Sequence, residues 1–397
     1  MQRRQLLHSF AALAASATLP CASQVLAASK DAPRLLLVFL RGGYDCASLL
    51  VPTSSQFYYE SRPNIAIARP SSGLEAALTL NSDWGLHPAL RDSMLPLYNS
   101  GELAFMPFAG TDNLSRSHFE TQDSIELGQP LRGRRDLNSG FLNRLAGNVG
   151  SIDAMAFTDN LPLIMQGKTQ IANAGVSNPG RVNIDARQSN LIAQMYGGTA
   201  LGEKVKEGFA VREEVAREMK EEMEAASRNA ISVKGFEQEA RRIAKLMRDK
   251  YAIGFIDVGG WDTHVNQGGA TGALAGKLEQ LGRGLALFQQ EMGPQWRNTV
   301  TVVISEFGRT FRENGKRGTD HGHGSVFWVL GGSVKGGNIV GEQVQVSAST
   351  LFQNRDYPVL NDYRSVLGGL FARMYGLNAG QVENIFPTVK GRDWGLL

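Results

Sequence analysis

The sequence predicts an α/β protein built on a doubly wound, mostly parallel sheet flanked by helices, and three observations carry the prediction. Five short apolar runs of strand length each end near glycine or a charged residue, helical stretches lie between them, and no fixed-period repeat or interdomain linker breaks the pattern. Composition agrees with a globular chain. Among 397 residues, 41 Lys and Arg face 38 Asp and Glu, for a formal net charge of +3. That balance, with no basic block beyond the N-terminus, argues against nucleic acid as a partner, and 42% hydrophobic residues argue against disorder.

The first element is not part of the fold. Arg3-Arg4, then Leu6-Leu7 and an uncharged Ala-rich stretch reaching Ser29, have the layout of an export signal, too weakly apolar for a stable membrane span. The expected division is a signal over residues 1–27 and one large α/β domain over 28–397. Paired arginines point to the twin-arginine (Tat) route and its export machinery, although Gln2 stands where Ser or Thr is usual and an ordinary secretory signal remains the alternative. Removing the two arginines leaves a charge of about +1. Cys21 leaves with the signal, so Cys46 remains alone and no internal disulfide forms. The expected location is the periplasm or the exterior.

The strands follow in order: Leu35–Leu40 entering Gly-Gly-Tyr-Asp45, Leu103–Phe108, Ile253–Asp257 before Gly-Gly-Trp-Asp262, Val300–Ser305 before Glu306, and Val326–Leu330. Continuous apolar runs of this length suit strands buried on both faces. From about Gly202 to Lys250 the chain is rich in Glu, Lys, Arg, Ala and Met, with apolar positions at helical spacing; it reads as two helices joined near Ser232 to Gly235 that cover the sheet. Residues 66–87 and 128–180 are the expected insertions.

Chemistry concentrates where histidine does. Of six histidines, His264, His321 and His323 lie within about sixty residues, each just after an aspartate, Asp262 or Asp320. Asp, Glu and His without Cys make a borderline-to-hard site for one or two divalent ions, with Zn, Mn, Fe, Ca and Mg all open. Ligands of open parallel sheets bind beyond the carboxyl ends of strands, where Asp45, Asp262 and Glu306 would stand. Each has a plainer alternative: Asp45 as a helix cap, Glu306 paired with Arg309, a histidine satisfying a core hydrogen bond. Thr111 to Phe119, containing Ser115, Arg116, Ser117 and His118, follows another strand and opens a helix. This is either an anion site or an ordinary Ser117–Glu120 capping box. No glycine-rich nucleotide loop follows a strand.

Taken together, Leu-Arg-Gly-Gly-Tyr-Asp45, Ser115-Arg-Ser-His118-Phe, Gly-Gly-Trp-Asp262-Thr-His264, Ser-Glu306-Phe-Gly-Arg309-Thr, Gly-Thr-Asp320-His321-Gly-His323-Gly and Asp362-Tyr-Arg364 resemble the Tat-exported domain-of-unknown-function family 1501. The resemblance spans nearly the whole mature chain. It implies an alkaline-phosphatase-like core, similar to sulfatases, in which Asp45 is a metal-binding acid and Ser115 or Ser117 occupies the region of the nucleophile. Asp262 and His264 then resemble a carboxylate–imidazole pair, with Glu306 the acid after the next strand and His321 or His323 the last ligand. Two departures stand out: Glu306-Phe307 replaces the usual Asp-His, and Cys46-Ala-Ser lacks the formylglycine pattern. The expectation is an exported metal-dependent hydrolase of a phosphate or sulfate ester, either a small anionic ester or part of an envelope polymer, with Arg116 or Arg309 as anion clamp. The rival reading is a non-catalytic envelope binding or assembly protein that keeps a structural metal.

Overall fold

A computed structural model describes residues 32–150, 152–176 and 235–397. The signal, Cys21 and the first of the two expected helices lie outside the described residues. The second helix is present as Phe236–Asp249.

The strands are β1 (Arg34–Leu40), β2 (Leu50–Val51), β3 (Leu78–Thr79), β4 (Gly85–Leu86), β5 (Leu103–Gly110), β6 (Ala154–Ala156), β7 (Ala172–Asn173), β8 (Ile253–Val258), β9 (Thr299–Ser305), β10 (Ser325–Gly331), β11 (Asn338–Ile339) and β12 (Asn361–Asp362). The helices used below are α1 (His118–Leu127), α2 (Phe141–Val149), α3 (Phe236–Asp249), α4 (Ala273–Met292) and α5 (Tyr363–Tyr375). Nine strands make one sheet in the order β11-β5-β10-β9-β1-β8-β6-β7, with β12 alongside β5. A second sheet, β2-β4-β3, pairs two short strands of the expected insertion at 66–87, β3 and β4, with β2 outside it.

β1 lies at the centre, parallel to β8 and β9, with Leu37 opposite both Phe255 and Val302. Its side chains alternate between two cores, which is why its sequence is continuously apolar rather than alternating. Leu36, Val38 and Leu40 pack with Ile243 and Met247 of α3 and Leu278 and Leu285 of α4. Leu35, Leu37 and Phe39 pack with Ile125 of α1, Leu142 of α2 and Leu367 and Phe371 of α5. Helices on both faces make the sheet doubly wound.

Two differences from the sequence reading matter. β10 runs antiparallel to both β5 and β9. Its beginning therefore sits at the same sheet edge as the ends of β1, β5, β8 and β9, and the Asp320–His323 loop is delivered there. The other difference is β6 and β7, two short strands that extend the sheet beyond β8 inside the stretch expected to be loop. At two or three residues each they carry no apolar run to detect. No described helix is long and apolar enough to cross a membrane.

Candidate metal centre

Two similar turns leave the central strands, and packing separates their fates. In Gly-Gly-Tyr-Asp45 and Gly-Gly-Trp-Asp262 the aromatics are buried against each other, edge to face at 6.0 Å. Gly42 lies where the turns cross: its φ is +122°, and a Cβ there would stand 2.7 Å from the Asp262 nitrogen. Only glycine fits. Beyond the crossing Asp262 faces the sheet edge, whereas Asp45 turns inward.

Three imidazoles converge with Asp262. His118 Nε2 lies 2.9 Å from His321 Nε2, which lies 3.1 Å from His264 Nε2. The nearest Asp262 oxygens stand 2.9 Å from His264, 3.3 Å from His321 and 3.6 Å from His118, at the same Nε2 atoms. Each ring is anchored through its other nitrogen. His118 Nδ1 meets Glu306 Oε1 at 2.8 Å, His264 Nδ1 meets Asp320 Oδ1 at 3.1 Å, and His321 Nδ1 meets the Arg116 carbonyl at 3.0 Å. Carboxylates and a carbonyl accept, so each Nδ1 carries the hydrogen and each Nε2 of a neutral ring presents a lone pair. Three lone pairs and a carboxylate oxygen would repel at these separations; a proton relieves one contact, and a cation relieves all of them. Two donors of a tetrahedral ion at about 2.0–2.1 Å stand about 3.3 Å apart, close to the 2.9, 3.3 and 3.6 Å separations among His118, His321 and Asp262. Backing of ligand histidines by carboxylate or carbonyl is the usual outer shell of such a site. Among the described residues, His118, Asp262 and His321 form a group able to hold an ion; His264 lies beside it, its Nε2 2.9 Å from Asp262, on the more exposed side.

The carboxylates divide into roles. Glu306 is fully buried and accepts from the Gly42 amide, His118 Nδ1 and Gln122, all at 2.8 Å. Burial would raise its pKa, but these donors hold it below the ordinary range. The Glu306 bond raises His118, while burial, His118 and Arg309 lower His321. Asp262 is also held low: burial opposes its charge, and Arg309, donating to Oδ1 at 2.6 Å, outweighs it.

Several sequence expectations need correction. Asp45 is not in the cluster: it is fully buried in an ion pair with Arg62, 2.6 Å for one oxygen and 3.0 Å for the other, and also accepts from Ser48. Glu306 and Asp320 stand behind His118 and His264, orienting rings instead of offering the nearest donors. His323 faces away into a buried contact with Phe352, and burial first, then Arg116, pushes it down to about 4. Arg309 is spent on Asp262 and Thr319, and Arg116 on Asp356 and Gln353, so neither guanidinium is a free clamp. Ser117 is the N-cap residue of α1 but makes no capping bond, so the capping box with Glu120 is not formed. Ser115 accepts from the Ser117 amide and meets Thr121 Oγ1 at 3.4 Å. Cys46 is a buried free thiol pushed up to about 12 by burial; it is chemically quiet.

His118 is the candidate ligand that the sequence reading does not offer. The sequence places it only in a candidate anion site, yet it is a fourth histidine inside a motif, and the fold brings it beside His321 and His264. Phe307 packs against His118 at 4.9 Å and His321 at 5.2 Å.

Among solved structures, the chain is similar to Ps i-CgsB in complex with k-i-k-neocarrahexaose, at 11% identity and a TM-score of 0.36, covering 91% of this chain and 75% of that one. A second structure of Ps i-CgsB gives 11% identity and a TM-score of 0.35, covering 88% and 74%. None of the curated proteins matches. Residues 32–386 match the family described as Protein of unknown function (DUF1501), and the chain belongs to that family.

Proposed function

We propose that the protein is an exported hydrolase of a phosphate or sulfate ester that uses one divalent metal ion, held by His118, His264, His321 and Asp262. The observation that carries this reading is the convergence of three anchored imidazoles and a carboxylate, partly open to solvent, at the carboxyl edge of the sheet. An alkaline-phosphatase-like core, export by the Tat route and a periplasmic or exterior location complete it, with residues 28–397 as one domain. Imidazole-rich donors favour Zn or Mn over Ca or Mg.

Exposure separates catalysis from structure. Side chains of Asp262 and His264 are 41% and 39% exposed, whereas purely structural ions sit in closed sites. When bound, the ion supplies positive charge to the ester oxygens and to the developing anion. The chain does the rest. Arg309 fixes Asp262, Glu306 fixes His118, and the N-terminus of α1 offers amides and its dipole to an anion. Ser117, free of a capping bond, is the better nucleophile candidate; Ser115 is already engaged. A water is the alternative.

The test is a panel of aryl phosphates, phosphodiesters and sulfates with Zn and Mn. Turnover lost in Ser117→Ala but retained in Ser115→Ala supports the reading; turnover equal in both assigns the attack to water. No turnover by metal-loaded protein on any substrate would favour the second reading, a non-catalytic envelope protein with a structural ion. Commitment of both Arg116 and Arg309 to internal carboxylates is the observation in its favour.

A further inference from the structure

Asp45 lies in a buried polar chain that ends at the metal centre. Its Oδ2 accepts from Gln267 Nε2 at 2.7 Å. Gln267 Oε1 accepts from Thr319 Oγ1 at 2.9 Å and Thr263 Oγ1 at 3.2 Å. Thr319 Oγ1 accepts from Arg309 Nε at 3.3 Å, and Arg309 Nη1 donates to Asp262 Oδ1 at 2.6 Å. Asp45, Arg62, Gln267, Thr319 and Arg309 are all buried, so water competes little along the chain.

The order of hydrogens is forced from one end. The ionised Asp45 only accepts, so the Gln267 amide must point its NH2 inward and its oxygen at the two hydroxyls. Thr319 then commits its hydrogen to Gln267 and turns a lone pair toward Arg309. Removing the charge at Asp45 removes the reason for Gln267 to face one way, and the Thr319 hydroxyl loses its defined direction, leaving Arg309 with its bonds to the Thr319 and Gly42 carbonyls.

We propose that Asp45, locked by Arg62, is a positioning residue for the metal centre, acting through Gln267, Thr319 and Arg309 on Asp262. This rests on the metal-binding reading above. It gives the carboxylate beyond the first strand a role without contact to the ion. Asp262 is the most charged donor of the set, and its direction decides whether four donors meet at one point.

The experiment uses full-length metal-loaded protein and Co2+ as probe, reading affinity by chelator competition and geometry by the visible spectrum. Asp45→Asn strands the buried Arg62 and risks misfolding, so the middle of the chain is the cleaner target. Thr319→Val keeps the shape, removes the hydroxyl and leaves Asp45–Arg62 intact. The expected result is a Co2+ affinity about 10-fold weaker, the low end for outer-shell changes, with an altered spectrum. Thr319→Ser should restore both. Wild-type affinity and spectrum in Thr319→Val would overturn the inference, as would a folded Asp45→Asn variant that lost a whole ion, the behaviour of a direct ligand. Wild-type protein that binds no Co2+ would overturn the metal-dependent reading as well; binding with unaltered variants overturns the positioning role alone.

Discussion

His118 shows how a single side chain acquires its task. Its Nδ1 is pinned by a carboxylate buried under the β1 and β9 ends, and that bond turns Nε2 toward His321. Glu306→Gln retains shape and one acceptor oxygen but lets the amide present a donor instead. The expected effect is a 10- to 100-fold loss of Zn affinity by chelator competition with little change in melting temperature. His87 illustrates the opposite case, a histidine outside the centre. Its Nδ1 accepts from the Ala89 amide, and burial pushes its pKa down to about 4. The unfolded ring binds a proton near pH 6.5, the folded one only near pH 4, so between these values the unfolded state holds more protons and stability falls as pH falls. The loss approaches about 3 kcal/mol per ring. Denaturant melts at pH 7 and pH 4.5 should therefore differ less in His87→Asn, which keeps a capping oxygen, than in wild type. Composition showed six histidines but not which would be neutral core rings; three stood out by neighbouring aspartates, while His118 and His87 needed the fold to tell them apart.

At the level of elements, the strands were the most legible part. All five long apolar runs became strands within about two residues of their expected ends, because burial on both faces leaves a continuous signature. β6 and β7 were not legible: two or three residues pairing at the edge of a sheet need no pattern of their own. Direction was equally hidden, since β10 is as apolar as the parallel strands β1, β8 and β9 and only the connection across the Asp320–His323 loop sets its sense. The crossing of the two Gly-Gly turns was half readable, as likeness without consequence. Its consequence is steric. Gly42→Ala places a methyl against the Asp262 backbone at a φ that side chains avoid, and should cost at least about 2 kcal/mol. Urea unfolding measures this, and a wild-type midpoint with unchanged metal content would show that the turns do not depend on that contact.

For the whole molecule, near-neutral charge leaves local chemistry in charge of recognition. A net +3 spread over 397 residues exerts little long-range pull on an anion, whereas an ion at the sheet edge concentrates positive charge at one point. The sequence indicated where that point lies, because residues beyond strand ends share an edge. It did not indicate which carboxylates stand in the imidazole cluster and which lie behind it, since Asp45, Glu306, Asp262 and Asp320 look alike until their partners are known. Burial makes the division: Asp45 and Glu306 are enclosed with donors around them, while Asp262 remains open to solvent.

The account stands on a metal at this edge of the sheet. Elemental analysis of protein purified without chelators, beside His118→Ala, Asp262→Ala and Asp45→Asn, addresses it directly. One tightly held divalent ion per wild-type chain, lost in His118→Ala and Asp262→Ala but retained with weaker affinity in Asp45→Asn, is the predicted result. No ion in wild type, or the same ion content in His118→Ala and Asp262→Ala as in wild type, would contradict it.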